Sequence, residues 1–276
     1  SYAYRNKASF ENDAFSWACK KEAGMVPDII TGSNVQDVEP ICGPAIKCLA
    51  VLSGQGHVLS PLGYVSELAK VFQNLGGTFI QTDVQDFEKD ADKISAVLTD
   101  QGRFECDKIV VTAGIWSKPL MTKLGLNVPL ETERGYHVMY KNPSKMPKNP
   151  MMMTTGKFGV TPMTEGLRCA GTVELGGIHL KPSKAPIKLL RRRVAEAFPN
   201  MTYEGTEEWM GFRPSTPDSL PLIGELDQSG IFTAFGHQHV GMTAGPKTGR
   251  LIADMIDKRT PNIDMSPYNP ARYTER

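Results

Sequence analysis

The sequence predicts a mixed α/β (α+β) fold in which the chain passes back and forth between two lobes. Residues 61–75 place apolar side chains at helical spacing, and the short apolar run 109–112 is typical of a strand buried in a parallel sheet. From residue 127 the sequence alternates and carries glycine turns, which predicts strands of an antiparallel sheet. After Trp209 the α/β pattern returns, so we expect the lobes to be interwoven along the chain.

Three helices and a hairpin follow from local signals. A helix is predicted over 9–23 because its apolar residues share one face, and Gly24 supplies a stop. The helix over 61–75 has a capping serine before it and two glycines after it. Strands are predicted from the segment GTFIQTDV onward, with a hairpin closed at Gly102, and a further helix over 186–198.

The last long helix is predicted from residues 236–256, GHQHVGMTAGPKTGRLIADMI. We expect it to begin near Ala244 with Pro246 in its first turn, to bury its apolar stripe and to expose Asp254. Unpaired amides at a helix start carry partial positive charge, and the glycines before it allow a ligand to come close. The junction therefore suits a phosphate, a carboxylate or an electron-rich ring, with a plain loop-to-helix connection as the alternative.

Composition limits the class of protein. The 276 residues include 31 Lys and Arg against 30 Asp and Glu, with a net charge of +1 and no basic run, which argues against a nucleic-acid partner. No apolar stretch reaches transmembrane length, so the expected location is the cytoplasm, with peripheral attachment to the inner membrane as the alternative. The five cysteines are scattered and form no CxxC, so neither a disulfide framework nor a metal site is predicted.

Several linked motifs resemble one family along nearly the whole chain, from about residue 2 to 273. In order they are CDKIVVTAGIWS, VPLETERGYHV, LRCAGTVELGG, WMGFRPSTPDSLPLIGE and the loop and helix at 236–256. Together they are similar to the FAD-dependent D-amino-acid oxidase and dehydrogenase superfamily, which includes glycine and sarcosine oxidases, and to bacterial D-amino-acid dehydrogenases in particular. The resemblance implies FAD as cofactor, a small amino-acid or amine substrate, and oxidation of its C–N bond to an imine.

The resemblance also implies how the chain is divided. The antiparallel-sheet substrate lobe corresponds to residues 1–57 and 127–210. An incomplete, doubly wound FAD-binding lobe corresponds to residues 58–126 and 211–262. Residues 263–276 correspond to a surface tail. One family feature is missing, because no GxGxxG unit for the FAD pyrophosphate occurs, and GQGHVL from Gly54 lacks its third glycine. We expect either a fragment of a longer polypeptide or a second chain that supplies this unit. The alternative function is a non-catalytic, FAD-free interaction subunit.

Cofactor-binding positions follow from the resemblance. Val84 corresponds to a strand end that passes the adenine, with an ordinary strand residue as the alternative. The turn Ala113-Gly114 and the following Trp116 correspond to a close approach to the cofactor at the end of a parallel strand. The isoalloxazine ring is expected at the loop before the last helix, on Gly236, His237, Gly241, Met242 and Thr243. There the helix start would stabilise the anionic reduced flavin.

Substrate-binding candidates are chosen for an amino-acid substrate. Its carboxylate favours a guanidinium. Arg213 is the first choice because the resemblance implies that its segment lies beside the flavin, and Arg168, on a predicted sheet strand, is the second. The alternative is that Arg213 braces its loop through Asp218. Tyr136 and His137 are further candidates, of which only one can face the substrate because adjacent strand residues point to opposite faces. The remaining candidates are His239, with a solvated loop histidine as the alternative, and Glu174. No catalytic acid-base pair is predicted, because hydride transfer from a neutral amine needs orientation alone.

Overall fold

The structure is a computed structural model, and it describes residues 1–273. The chain forms two compact units, each built from separated stretches. Unit 1 contains Ser1–Lys70, Gly135–Glu174 and Lys181–Gly211, and unit 2 contains Val71–Arg134, Leu175–Leu180 and Phe212–Arg276. The predicted mixed α/β class is confirmed. The sequence-based division places the main limits at 57, 126 and 210, whereas the units change at 70, 134 and 211.

The elements of the described residues are as follows. The helices are α1 (Lys7–Glu11), α2 (Ala14–Glu22), α3 (Asn34–Val38), α4 (Pro61–Asn74), α5 (Ser117–Lys123), α6 (Lys184–Ala197) and α7 (Gly241–Ile256). The strands are β1 (Tyr2–Tyr4), β2 (Asp28–Thr31), β3 (Cys48–Val51), β4 (Val84–Asp90), β5 (Lys93–Thr99), β6 (Gly102–Glu105), β7 (Ile109–Val111), β8 (Glu131–Lys141), β9 (Met151–Met153), β10 (Phe158–Met163), β11 (Gly166–Leu175), β12 (Gly205–Ser215), β13 (Leu222–Leu226) and β14 (Ile231–Phe235). Short 3-10 helices cover Gly114–Trp116, Ser266–Tyr268 and Pro270–Tyr273.

Unit 1 is organised by an eight-stranded sheet with the order β12-β8-β11-β10-β9-β1-β3-β2. In its β10–β11 hairpin the strands pair antiparallel from Phe158↔Gly171 to Met163↔Gly166. Helix α6 begins two residues before the predicted start and buries Ile187, Leu190 and Val194 in the core that covers this sheet. The apolar stripe of α6 thus fixes the helix on the sheet.

Unit 2 carries two three-stranded sheets, β13-β14-β7 and β4-β5-β6. Strand β7 runs parallel to β14, with Ile109 opposite Ile231, and Gly102 closes the β5–β6 hairpin as predicted. The expectation that 109–112 is buried on both faces is wrong, because β7 is the edge strand of its sheet and Val110 is 37% exposed. An edge strand also leaves the N–H and C=O groups of its free edge without a strand partner, so β7 is open on that side as well.

The predicted first helix is divided in two. Helix α1 is capped by Asn6, whose Oδ1 accepts a hydrogen bond from Ser9 N at 2.9 Å, and the chain turns before α2 begins. The Tyr4 hydroxyl donates to Asp13 Oδ2 at 2.7 Å at this turn.

The strand predicted to begin at residue 77 begins only at Val84, as β4. The prediction is wrong for residues 77–83, because Phe79 and its neighbours pair with no described strand and are exposed.

Helix α4 matches the prediction in position. It covers Pro61–Asn74, and Gly76 ends it with φ +93°. Its apolar stripe is open to solvent, with exposed fractions of 73% for Leu62, 51% for Leu68 and 54% for Phe72. A contiguous exposed apolar surface of this kind is rare on a monomeric soluble protein and typically marks an interaction surface.

Helix α7 begins at Gly241, three residues earlier than predicted, because Ala244 N already donates to Val240 O at 2.8 Å. Pro246 therefore lies beyond the first turn. The expectation that Asp254 points outward is wrong: its side chain is buried and accepts hydrogen bonds from Arg250 and Arg259, each at 2.9 Å. Two guanidinium groups offset the cost of burying this carboxylate.

The C-terminal stretch is held more firmly than a surface tail. Pro270 is buried, and its ring lies so close to β13 that a Cβ on Gly224 would stand 2.8 Å from Pro270 Cδ. Residues 274–276 of the predicted tail lie outside the described residues.

Candidate functional site

The loop between β14 and α7 is fixed by its backbone. Gly236 has φ +86°, and a Cβ there would stand 3.2 Å from Thr216 Cγ2, so this position favours glycine on two grounds. Gln238 also has a positive φ, and its backbone N donates to Pro214 O at 3.2 Å. The Gln238 amide Nε2 donates to Thr216 O at 3.1 Å. The loop is thereby attached to the end of β12 and to the residue that follows it.

The start of α7 is open to solvent. Gly241, Met242 and Thr243 are exposed, and so is Val240 before them. The first amides of a helix have no partner within it, so these N–H groups are available to an external acceptor. Among residues 1–273, no side chain covers this junction enough to bury it.

His237 turns toward the helix behind the loop. Its Nε2 lies 2.9 Å from Thr248 Oγ1, and burial lowers the pKa of the imidazole. A neutral His237 thus ties the loop to the second turn of α7, while His239 and Val240 further along the loop are exposed.

The proposed brace between Arg213 and Asp218 is absent. Asp218 accepts hydrogen bonds from Arg272 instead, at 2.8 Å from Nε and 3.1 Å from Nη2. Arg213 Nη1 is buried, and it has no hydrogen-bond partner among the described residues. Burial lowers the pKa of the Arg213 guanidinium, and the charge of Glu133 opposes this shift.

Glu133 is a residue that the sequence reasoning missed. Its Oε2 lies 2.8 Å from His239 Nε2, across 106 residues of sequence. The alternative of a merely solvated His239 is therefore wrong, although its side chain is 52% exposed. Unit 2 thus brings together a guanidinium, a carboxylate and an imidazole beside the exposed start of α7.

The predicted residues at the end of β7 lie in the same unit. Gly114 has φ +57° and opens a 3-10 helix, and a Cβ added to it would meet no described atom within 4 Å. Trp116 is 54% exposed and packs edge-on against Phe212, with ring centroids 5.9 Å apart. Val84 and Ala113 line one apolar cavity of about 340 Å³. Its other lining residues are Thr112 and members of β4, β5, β7 and α5.

Unit 1 holds the other substrate-site candidates. Tyr136 is buried in the core beside α6, and its hydroxyl bonds to the Glu174 carboxylate and accepts from Ser183 N at 3.1 Å. It lines a cavity of about 560 Å³. His137 stacks on Trp209 with ring centroids 5.1 Å apart.

Arg168 joins His137 on its face of the sheet. Arg168 Nε donates to His137 Nδ1 at 3.3 Å, so this pair and Tyr136 lie on opposite faces, as strand alternation predicts. The Tyr136 side chain therefore lies in the core, where its hydroxyl bonds to Glu174.

A family model described as FAD dependent oxidoreductase (DAO) matches residues 2–255. The chain belongs to the DAO family of FAD-dependent oxidoreductases. It is 34% identical to a D-amino-acid oxidase of Bradyrhizobium diazoefficiens, over 99% of this chain and 66% of that protein. It is 30% identical to a glycine oxidase of Pseudomonas aeruginosa, over 95% of this chain and 72% of that protein. The chain thus spans about two thirds of the length of these curated relatives.

Solved structures agree on the fold. The chain superposes on glycine oxidase from Geobacillus kaustophilus with a TM-score of 0.86 at 23% identity, covering 98% of this chain and 74% of that one. It superposes on L-proline dehydrogenase from P. horikoshii with a TM-score of 0.82 at 18% identity, covering 99% and 76%. The DAO fold is therefore shared well beyond recognisable sequence identity.

The residues present fit part of an FAD site of the DAO family. The exposed residues at the start of α7 and the open space beside Gly114 offer room for a ring, and Arg213 keeps a buried nitrogen unpaired within residues 1–273. In the same described range, no cluster of His, Cys, Asp and Glu could hold a metal ion, and the five cysteines are free. No helix among the described residues is long and apolar enough to span a bilayer.

Proposed function

We propose that this chain is the larger part of an FAD-dependent oxidoreductase that oxidises the C–N bond of an amino acid or a secondary amine. The observation that carries the proposal is the uncovered start of α7, next to a fixed loop, in a chain of the DAO family. The named activities of its relatives, D-amino-acid oxidase and glycine oxidase, support the substrate class.

The proposed flavin contacts come from the chain's own backbone. The amides of Gly241, Met242 and Thr243 face the pyrimidine edge of the ring, and the partial positive charge of the helix start stabilises negative charge there. Trp116 and the turn at Ala113-Gly114 flank the ring, and Val84 lies on the adenine side. When bound, FAD supplies the acceptor for the hydride of the substrate Cα–H.

The proposed substrate contacts orient an amino acid without an acid-base pair. Arg213 binds the substrate carboxylate, because a guanidinium offers two parallel donors to two oxygens. Its unpaired Nη1 supports this role, since a buried donor without a partner is costly unless a ligand satisfies it. Arg168 is the second candidate for the carboxylate. We rank it below Arg213 because its Nε already donates a hydrogen bond to His137 in unit 1.

We further propose that residues outside these 276 bind the FAD pyrophosphate, either in the same polypeptide or in a second chain. The coverage of two thirds of each relative supports this, and so do the uncovered stripe of α4 and the edge strand β7. An added strand would pair with the free edge of β7, and an added helix would cover the apolar stripe of α4. In this division unit 2 carries the flavin and the sheet of unit 1 belongs to the substrate lobe.

The test is flavin binding followed by reduction. The protein is purified together with its GxGxxG-bearing segment, and we expect a yellow protein whose flavin is bleached by D-alanine, D-proline or glycine in the absence of oxygen. A protein that stays colourless after incubation with FAD contradicts the proposal and favours the interaction subunit. A yellow protein that none of these compounds reduces contradicts the substrate class alone.

A further inference from the structure

The charged residues around Arg213 point to a binding site for a second group of the substrate. We propose that Glu133, oriented by His239, binds the amino group of the amino acid whose carboxylate Arg213 binds. This inference rests on the proposed function and adds the residue that distinguishes an amino acid from a simple carboxylate.

Glu133 has the properties of a binding carboxylate. Its side chain is 23% exposed, so the group is mostly withdrawn from solvent but still accessible. Its Oε2 takes the 2.8 Å contact with His239, and no described group donates a hydrogen bond to its Oε1. A carboxylate with an open acceptor at a partly buried position favours an ammonium or amine donor.

Glu133 and Arg213 interact electrostatically but are not paired with each other. The charge of Glu133 acts on Arg213, yet no nitrogen–oxygen contact of 4.0 Å or less joins them among the described residues. Each of the two side chains therefore remains able to bind a group of the opposite charge. An α-amino acid carries a carboxylate and an amino group on the same carbon, so the first can bind Arg213 and the second Glu133.

The contact between Glu133 and His239 is not needed to anchor the loop. Gln238 already attaches the loop through Pro214 O and Thr216 O, and His237 attaches it to Thr248. An exposed histidine paired with a carboxylate adds little to stability on its own. The contact instead selects one orientation of the Glu133 side chain, which makes His239 a positioning residue.

The experiment compares ligands that differ by one amino group, on the FAD-loaded protein. The pairs are D-alanine with propionate and glycine with acetate. The concentration dependence of flavin reduction without oxygen gives the apparent Kd of each amino acid, and the spectral shift of the oxidised flavin gives the Kd of each carboxylate. The variants are Glu133→Gln, Arg213→Gln and His239→Gln, with Glu131→Gln on the same strand as the matched control.

We expect Glu133→Gln to weaken amino-acid binding about tenfold or more and to change carboxylate binding less than about twofold. Arg213→Gln is expected to weaken both members of each pair about tenfold or more. His239→Gln follows Glu133→Gln with a smaller effect, and Glu131→Gln changes neither affinity.

A Glu133→Gln variant that weakens both members equally, or neither, overturns the proposal, because Glu133 then acts only as a structural partner of His239. A wild-type protein whose flavin neither amino acid reduces contradicts the substrate class of the proposed function, and this inference with it. Flavin absorbance of each variant shows whether the site remains assembled, so the two failures are distinguishable.

Discussion

Arg272 donates two hydrogen bonds to the Asp218 carboxylate, from Nε at 2.8 Å and from Nη2 at 3.1 Å. The pair joins the C-terminal 3-10 helix to the loop after β12, and Arg272 Nη2 also donates to Leu220 O at 2.7 Å. Because Arg272 occupies Asp218, Arg213 is left for another partner. Arg272 thus binds Asp218, and this is the reason for assigning Arg213 to the substrate carboxylate.

Replacement of Arg272 by alanine is expected to lower the free energy of unfolding by about 1–3 kcal/mol at pH 7, because the charged partner of a partly buried carboxylate is lost. Burial raises the pKa of Asp218, but the hydrogen bonds from Arg272 and the Leu220 amide overcome this and hold it well below its ordinary value. A depressed pKa stabilises the fold above the ordinary Asp pKa of about 4 and loses that contribution as the pH falls. Urea unfolding at neutral and acid pH checks both effects.

The control for this prediction is Arg192→Ala, since Arg192 and Glu196 form an exposed pair at 3.8 Å. We expect it to change the free energy of unfolding by less than about 0.5 kcal/mol. The account of Arg272 is wrong if both variants lose the same stability, or if Arg272→Ala keeps the full acid sensitivity of the wild type.

Replacement of Arg213 by lysine in the FAD-loaded protein is expected to raise the KM for the amino acid about tenfold or more, because a lysine cannot offer two parallel donors. The flavin absorbance should be unchanged. Steady-state kinetics of Arg213→Lys beside Arg168→Lys separates the two candidates, and a larger KM effect in Arg168→Lys would reject Arg213 as the carboxylate ligand.

Replacement of Gly236 by alanine is expected to cost about 1–2 kcal/mol of unfolding free energy, because φ +86° disfavours a side chain. The matched variant is Gly241→Ala, where an added Cβ meets only an ordinary contact, 3.6 Å from His237 Cβ, and φ is not positive. Thermal or urea unfolding of the two proteins measures the difference. Equal stability of both variants would contradict the fixed-loop description.

Replacement of both Leu62 and Leu68 by glutamine is expected to leave the free energy of unfolding of the 276-residue chain within about 0.5 kcal/mol, because both side chains are exposed. The same change should reduce aggregation and apolar-dye binding. Leu190→Gln serves as the contrast, since this fully buried side chain should cost about 3 kcal/mol or more. A large stability loss in the Leu62 and Leu68 variant would show that α4 is covered.

Local signals predicted the parts of the fold that depend on local chemistry. The limits of α4, the hairpin at Gly102 and the opposite faces of Tyr136 and His137 follow from capping, glycine conformation and strand alternation. The break between α1 and α2 did not follow, because it depends on the contact from Tyr4 to Asp13 across the turn. The spacing of apolar residues alone predicted one continuous helix through this turn.

The candidate site depends on contacts between distant parts of the sequence, which periodicity does not encode. Glu133 and His239 are separated by 106 residues, and Asp218 and Arg272 by 54. Family resemblance supplied the loop at 236–243 and Arg213, but it gave no reason to select Glu133 or Arg272. The exposure of α4 could not be predicted either. An apolar stripe indicates which face of a helix is suited to burial, but it does not indicate which part of the protein, if any, covers that face.

The central claim is that the start of α7 faces the pyrimidine edge of a bound flavin. A crystal structure of the FAD-loaded protein tests it most directly, by the distances from the amide nitrogens of Gly241, Met242 and Thr243 to flavin N1 and O2. The account predicts at least one distance of about 2.7–3.2 Å, the range of a hydrogen bond. A flavin whose pyrimidine edge lies elsewhere, with all three amides bonded to water or protein, would contradict it.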